Sequence, residues 1–373
     1  MPELQDVFRF YGEAYLNEHP QPPHVWKAVR AIQNCRTAAL GGHADTCDEC
    51  GFIQVSYNSC RNRHCPKCQA LNKERWVMAR EAELLPVTYF HVVFTLPEEL
   101  NGIVLHNREF MFDILFKAAS ETLRKLAMDG KYLGAETGFT SILHTWGSNL
   151  MFHPHVHMII PGGGLTESGQ WRSSRKKFFI PVKVLAKMFR GKFMYALEKM
   201  RHEIQGLEDD GVWRTTANTL YSKDWYVYCK RPFKTCLSVL KYLGRYTHRV
   251  AISNHRIISI HDDKVSFKWR DYKNGSREKV MTLTAAEFIR RFLLHILPPG
   301  FTKIRHYGFL ASAVKKKKLA ICKKLTGAKI TMTSKLSTVD LMKKLIGRDI
   351  TLCPRCGVGH FTIVSGLSPP QVA

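Results

Sequence analysis

The chain has 373 residues, 45% hydrophobic and 23% charged, which is long enough for more than one packed core and too apolar for a disordered polyelectrolyte. Its 56 Lys and Arg against 31 Asp and Glu leave a net charge of +25 at pH 7. Such a surplus repels itself unless a polyanion is at hand, which points to nucleic acid, where each neutralised phosphate releases counterions. No apolar run reaches the ~18 residues of a membrane span, and no basic amphipathic helix shows a clean apolar face, so no membrane partner is expected. The segment MPELQDVFRFYGEAYLNEHP lacks the basic-then-apolar order of a secretory signal. A reducing cytoplasm, at the nucleoid, is the expected location, and the 11 cysteines are expected as thiols or metal ligands.

Residues 1 to about 40 read as helical and end at Gly41-Gly42; a Cys/His-rich stretch follows to Cys68, then a helix over LNKERWVMAREAELL that stops before Pro86. Val87–Pro97 (VTYFHVVFTLP) has the β-branched and aromatic content of a buried strand. Residues 107–128 read as a helix, GFTSILHTWG and MFHPHVHMIIPGGG as two strands joined by a short turn, and 183–206 as a helix. WYVYCKRPF is a strand, CLSVLKYLGRYTHRV a helix, and AISNHRIISI with VSFKWRDY a strand pair turning at His261–Lys264. From Lys303 to Arg348 there are 13 Lys or Arg and one acid, Asp340, which predicts a basic arm or small helical module ahead of a frayed GLSPPQVA end. The fold class expected is α+β, with an antiparallel sheet carrying helices on its faces.

Cys47-x2-Cys50 and Cys65-x2-Cys68, with 14 residues between them, match the spacing of a structural four-cysteine zinc site. His43, Cys60 and His64 are surplus candidates that leave the exact ligand set open. Arg61, Arg63 and Lys67 surround the cluster and mark it as a candidate DNA-binding module. Cys353-Pro-Arg-Cys356-Gly resembles half a zinc ribbon, its partners being His360 or residues from elsewhere.

On a strand, His153, His155 and His157 project to one face, as a divalent-metal site on a rigid sheet requires. His91, in the middle of the first strand (Val87–Pro97), is a candidate third ligand. Tyr242 and Tyr246 stand four residues apart, one turn on a helix, beside a basic row of Lys241, Arg245 and Arg249. A phenol is a weak nucleophile at neutral pH, and nearby cations or a metal acting on the phosphate favour its attack.

Together these strings resemble a known family. His155-Val156-His157 is similar to the His-hydrophobic-His signature of HUH nucleases, and Tyr242/Tyr246 to the paired tyrosines of their two-tyrosine class. SCRNRHCPKCQ resembles the zinc-binding domain of IS-ninety-one-type rolling-circle transposases, and FHVVFTLP, HPHVHMIIPGGG, YLGRYTHRVAISN and IRHYGFLA follow in that family's order, over about residues 25–312. The resemblance implies an N-terminal zinc-binding module (1–85), an HUH-type catalytic domain (86–300) and a basic C-terminal region (301–373). It further implies Mg or Mn at His155 and His157, structural Zn at the cysteines, and cleavage and rejoining of single-stranded DNA at element ends through a 5′-phosphotyrosine. A relaxase or replication initiator with the same chemistry, a zinc-dependent DNA-binding regulator without catalysis, and a hydrolase using activated water are the alternatives.

Overall fold

The structure, a computed structural model, describes residues 1–175, 180–233, 238, 244, 250–272, 274–328 and 336–370, without the side chains of 230–233. The chain opens with helices α1 (Leu4–Glu18) and α2 (Pro23–Gln33), a hairpin of β1 (Gly42–Cys47) and β2 (Ile53–Tyr57), and α3 (Pro66–Glu81). Pro at the first helical position starts both α2 and α3, where a missing N–H costs nothing. Then come β3 (Tyr89–Thr95), α4 (Asn101–His106), α5 (Arg108–Met128), β4 (Phe139–Trp146), β5 (Phe152–Pro161), β6 (Gly163–Leu165) and β7 (Trp171–Ser173). After α6 (Val182–Met200) and α7 (Asp210–Ser222) lie β8 (Val227–Phe233), β9 (Ile257–His261), β10 (Lys264–Asp271), β11 (Arg277–Thr284) and α8 (Ala285–Leu293). The chain closes with β12 (Ile304–Tyr307), α9 (Lys315–Thr326), α10 (Thr338–Ile346) and β13 (Phe361–Leu367).

Among the described residues, the principal sheet runs β12-β4-β5-β3-β8, antiparallel throughout, with β5 in the middle. Its flanking helices and this central histidine strand give the expected α+β class. On one face Phe90, Val92, Phe94, Val156, Met158 and Ile160 pack beneath α5 and α6 against Phe112, Phe116, Phe189 and Phe193. Burying each of those aromatic side chains stabilises the fold by about 1.5–3 kcal/mol. The opposite face carries Tyr89, Ile142 and Ile159, against which α3 lays Trp76 and Val77. A separate core joins α1 and α2 to the three-stranded sheet β11-β10-β9 and α8, with Phe8 edge-on to Phe292 at 5.4 Å. β1, β2 and β13 form a third small sheet in the order β13-β1-β2.

Two expectations need correction. The strand expected from Ala251 begins only at Ile257, after a 3-10 turn at Asn254–Arg256 where the buried Arg256 donates to the Ala251, Lys268 and Ser148 carbonyls. The expected frayed end is partly ordered, because Gly366 and Leu367 pair with His43 and Gly42 as the last residues of β13.

Candidate metal centre

In β5, successive side chains alternate between the two covered faces. Val156, Met158 and Ile160 enter the core under α5 and α6, so His155, His157 and Ile159 look toward α3. Residues directly opposed in an antiparallel pair share a face. His144 opposes His155, Val93 opposes His157, and His91 opposes Ile159. Four histidines from three strands therefore occupy the α3 side. His144, His155 and His157, only 2%, 9% and 8% exposed, each place a ring nitrogen within 4.8 Å of the others.

The proton positions follow from the partners. His155 Nδ1 is 2.6 Å from the His153 carbonyl oxygen, which only accepts, so Nδ1 carries the proton and Nε2 the lone pair. His157 Nε2 faces that lone pair at 3.0 Å, while His157 Nδ1 lies 2.8 Å from His91 Nε2. When the His157 Nδ1–H is the donor to His91 Nε2, the Nε2 lone pairs of His155 and His157 converge, an arrangement that a cation between them stabilises. Cis ligands about 2.1 Å from an octahedral ion stand about 3.0 Å apart, so the observed separation fits one. Burial pushes the His155 imidazole down to about 3, which keeps it neutral and able to ligate.

Two anticipated ligands take other places. His153 is outside the group; ladder pairing with β4 becomes irregular beyond His155, so strict alternation ends there. His91 contacts His157 and so holds its ring orientation. His144 was missed from sequence. Its signal is the hairpin register, since a reversal centred on Asn149-Leu150 sets His144 opposite His155.

The cysteines also regroup. One four-cysteine cluster of Cys47, Cys50, Cys65 and Cys68 is not formed; the structure gathers Cys35, Cys60, Cys65 and Cys68 in one place and Cys47, Cys50, Cys353 and Cys356 in another. The reason is topological: Cys65 and Cys68 open α3 beside Cys35 just past α2, whereas Cys47 and Cys50 sit at the hairpin turn on which β13 pairs. His43 faces Asp45 at 3.3 Å, and His64 Nε2 accepts from the Leu297 N–H at 3.4 Å, so neither joins a cluster. His360 places its ring beside the Thr351 hydroxyl at 3.3 Å instead. Of the module's cations, Arg61 is exposed. Arg63 donates to the Phe301 carbonyl at 2.8 Å, and Lys67 pairs with Glu3 and Gln5 of the α1 entry.

Tyr242, Tyr246, Lys241, Arg245 and Arg249 lie outside the described residues. Gly244, between the two tyrosines in sequence, is buried; a Cβ there would stand 2.7 Å from Val77 Cγ2 and 3.3 Å from Lys73 Cε of α3. Gly244 is thus on the side of the sheet that bears the histidines.

Comparison with known proteins gives the same order of parts. A family described as "Transposase zinc-binding domain", of the IS91 type, matches residues 7–96, and one described as "Putative transposase" (Y2_Tnp) matches residues 138–318. The chain is 45% identical over 377 residues to "Putative transposase y4qJ" of Sinorhizobium fredii, covering 97% of this chain and 95% of that protein. It is 27% identical over 359 residues to "Transposase for insertion sequence element IS801" of Pseudomonas savastanoi pv. phaseolicola, covering 92% and 84%. The zinc-binding match and the cysteine clusters support structural zinc, and transposition implies DNA as the partner. Among the described residues no helix is long and apolar enough to cross a membrane. The chain belongs to the IS91-type transposase family.

Proposed function

We propose that this transposase cleaves and rejoins single-stranded DNA at element ends with Tyr242 and Tyr246 as nucleophiles, beside a divalent ion held by His144, His155 and His157. The observation that carries the reading is the convergence of three buried histidine nitrogens on the sheet face that Gly244 also approaches. An ion there, Mg or Mn, would polarise a phosphate oxygen and ease attack at phosphorus. His91 keeps His157 aimed, and α3 covers the face and limits water. One tyrosine oxygen forms a bond to phosphorus as the P–O3′ bond breaks; the leaving oxygen takes up a proton and departs as a 3′-OH. The 5′-phosphotyrosine conserves the phosphodiester's energy, so rejoining needs no nucleotide, and the sequence holds no GxxxxGK[ST] loop. The second tyrosine serves a second strand transfer. Cys35, Cys60, Cys65 and Cys68 hold structural zinc at the start of α3.

The test incubates the protein with 5′- or 3′-labelled single-stranded oligonucleotides from the element's ends and Mg²⁺ or Mn²⁺, followed by denaturing gels. A metal-dependent adduct carrying only the label 3′ of the cut, lost in Tyr242→Phe/Tyr246→Phe, is expected. Tyr228, 43% exposed on the histidine face with its ring 6.5 Å from His91, is the rival nucleophile, and Tyr228→Phe should retain the adduct. Cleavage without an adduct would favour activated water, and binding without cleavage a regulator.

A further inference from the structure

Cys353 and Cys356 lie beyond both matched regions, yet their sulfurs meet those of Cys47 and Cys50. We propose that these four residues bind a second, structural zinc ion that staples the segment around residue 355 to the hairpin around residue 49, separately from the ion at Cys35, Cys60, Cys65 and Cys68.

The two halves are built alike. Cys47-Asp-Glu-Cys50-Gly51 and Cys353-Pro-Arg-Cys356-Gly357 are each a tight turn in which the glycine N–H donates to the first cysteine's carbonyl, at 3.1 and 2.9 Å. Both glycines sit in the left-handed region, φ +66° and +75°, which lets each chain reverse just past its second sulfur. On the second knuckle, the Arg355 N–H donates to Cys353 Sγ at 3.4 Å and the Gly359 N–H to Cys356 Sγ at 3.3 Å, contacts that hold both sulfurs in place. Cys47 Sγ is 3.7 Å from Cys356 Sγ, and Cys50 Sγ is 3.7 Å from Cys353 Sγ. A tetrahedral ion with Zn–S bonds of about 2.3 Å separates its sulfurs by about 3.8 Å, whereas a disulfide needs about 2.05 Å. Gly359 is required by the same closeness, since a Cβ there would stand 2.4 Å from Cys47 Sγ.

Packing alone does not explain why this sheet holds together. Ile53, Val55 and Tyr57 of β2 are 60%, 48% and 43% exposed, and Ile363 and Val364 of β13 are 70% and 58% exposed. A three-stranded sheet that buries so little apolar surface is marginal on its own, and its linked turns are 303 and 309 residues apart in sequence, so closing them costs chain entropy. Four thiolates on one ion supply that closure and leave no open coordination position, so the ion's part is structural. The basic stretch carrying α9 and α10 then becomes a strap fixed at both ends: Lys315 pairs with Glu83 at 2.8 Å, Arg75 donates to Thr338, and the zinc holds residues 353–356.

Thiol labelling and zinc content of the whole chain test this. In zinc-loaded wild type, Cys47, Cys50, Cys353 and Cys356 should resist alkylation as a group and become reactive together once a chelator strips the zinc, as read by peptide mass spectrometry. Cys353→Ser/Cys356→Ser should hold one zinc fewer per chain than wild type, expose Cys47 and Cys50, and leave Cys35, Cys60, Cys65 and Cys68 protected. Unchanged zinc content in that variant, with Cys47 and Cys50 still protected, would overturn the proposal. So would labelling of the four wild-type thiols at a rate indifferent to zinc and chelator, or their recovery as disulfides after chelation and denaturation without oxidant. Should the double variant fail to fold, the wild-type labelling decides alone.

Discussion

At the scale of single residues, the five histidines of β3, β4 and β5 divide by what each one touches. His144, His155 and His157 converge on one another, His91 meets His157 Nδ1 at 2.8 Å, and His153, outside that group, lends its carbonyl to His155 Nδ1. His144→Ala removes one of three nitrogens and should abolish cleavage at Mn²⁺ concentrations that saturate the wild type. His91→Ala leaves the three in place but frees the His157 ring to turn. Loss of such a supporting partner weakens metal affinity by about 10–100-fold, so raised Mn²⁺ should restore its activity. His153→Ala should stay within about 3-fold of wild type, because a backbone carbonyl survives the substitution. A Mn²⁺ titration of adduct yield orders the three, and a His153→Ala defect as deep as that of His144→Ala would refute the assignment. The pair at 155 and 157 could be read from sequence because strand periodicity alone places it. The third nitrogen could not, since His144 joins only through the register of a hairpin whose turn, Gly147–Met151, carries no distinctive motif.

Among the elements, α3 links one four-cysteine cluster to the sheet that bears the histidines. Its first turn supplies Cys65 and Cys68; its middle lays Trp76 and Val77 on the histidine face and meets Gly244. Side chains at Gly244 must displace the Val77 methyl, and overpacking of that kind costs about 1–3 kcal/mol. Gly244→Leu should therefore lower adduct yield at least about 10-fold through the position of the tyrosine segment, while zinc content and Mn²⁺ binding stay at wild-type values. Loss of Mn²⁺ binding in that variant would mean that the sheet face itself had been disturbed. The strands of this sheet were legible because β3, β4 and most of β5 are long, β-branched and buried on both faces. The cysteine pairing was not. Both CxxC pairs have the same spacing in sequence, and which sulfurs they join depends on Cys35 past another helix and on Cys353 at the far end of the chain.

Across the whole molecule, remote segments repeatedly share a core. Leu4, Val7 and Phe8 pack with Ile257, Phe288 and Phe292, which joins the first helices to residues far beyond position 85, the limit that the resemblance implies for the N-terminal module. Sequence periodicity marks helices and strands but says nothing of which amphipathic faces meet. Charge, by contrast, can be counted from the sequence, and the structure shows which cations are free to meet DNA. In the Lys315–Lys318 run, Lys315 pairs with Glu83 and Lys318 with Glu136, while Lys316 and Lys317 are exposed and carry no ion pair among the described residues. Each phosphate neutralised on a single strand adds about −0.7 to the slope of log affinity against log salt. If Lys316 and Lys317 each contact one phosphate, Lys316→Ala/Lys317→Ala should flatten that slope by about 1.4. Between about 50 and 200 mM salt the wild type would then lose about 7-fold more affinity than the variant. Fluorescence anisotropy with a labelled oligonucleotide measures both slopes. Parallel slopes would show that this stretch of charge faces away from the bound strand and that the surplus of +25 acts through other cations.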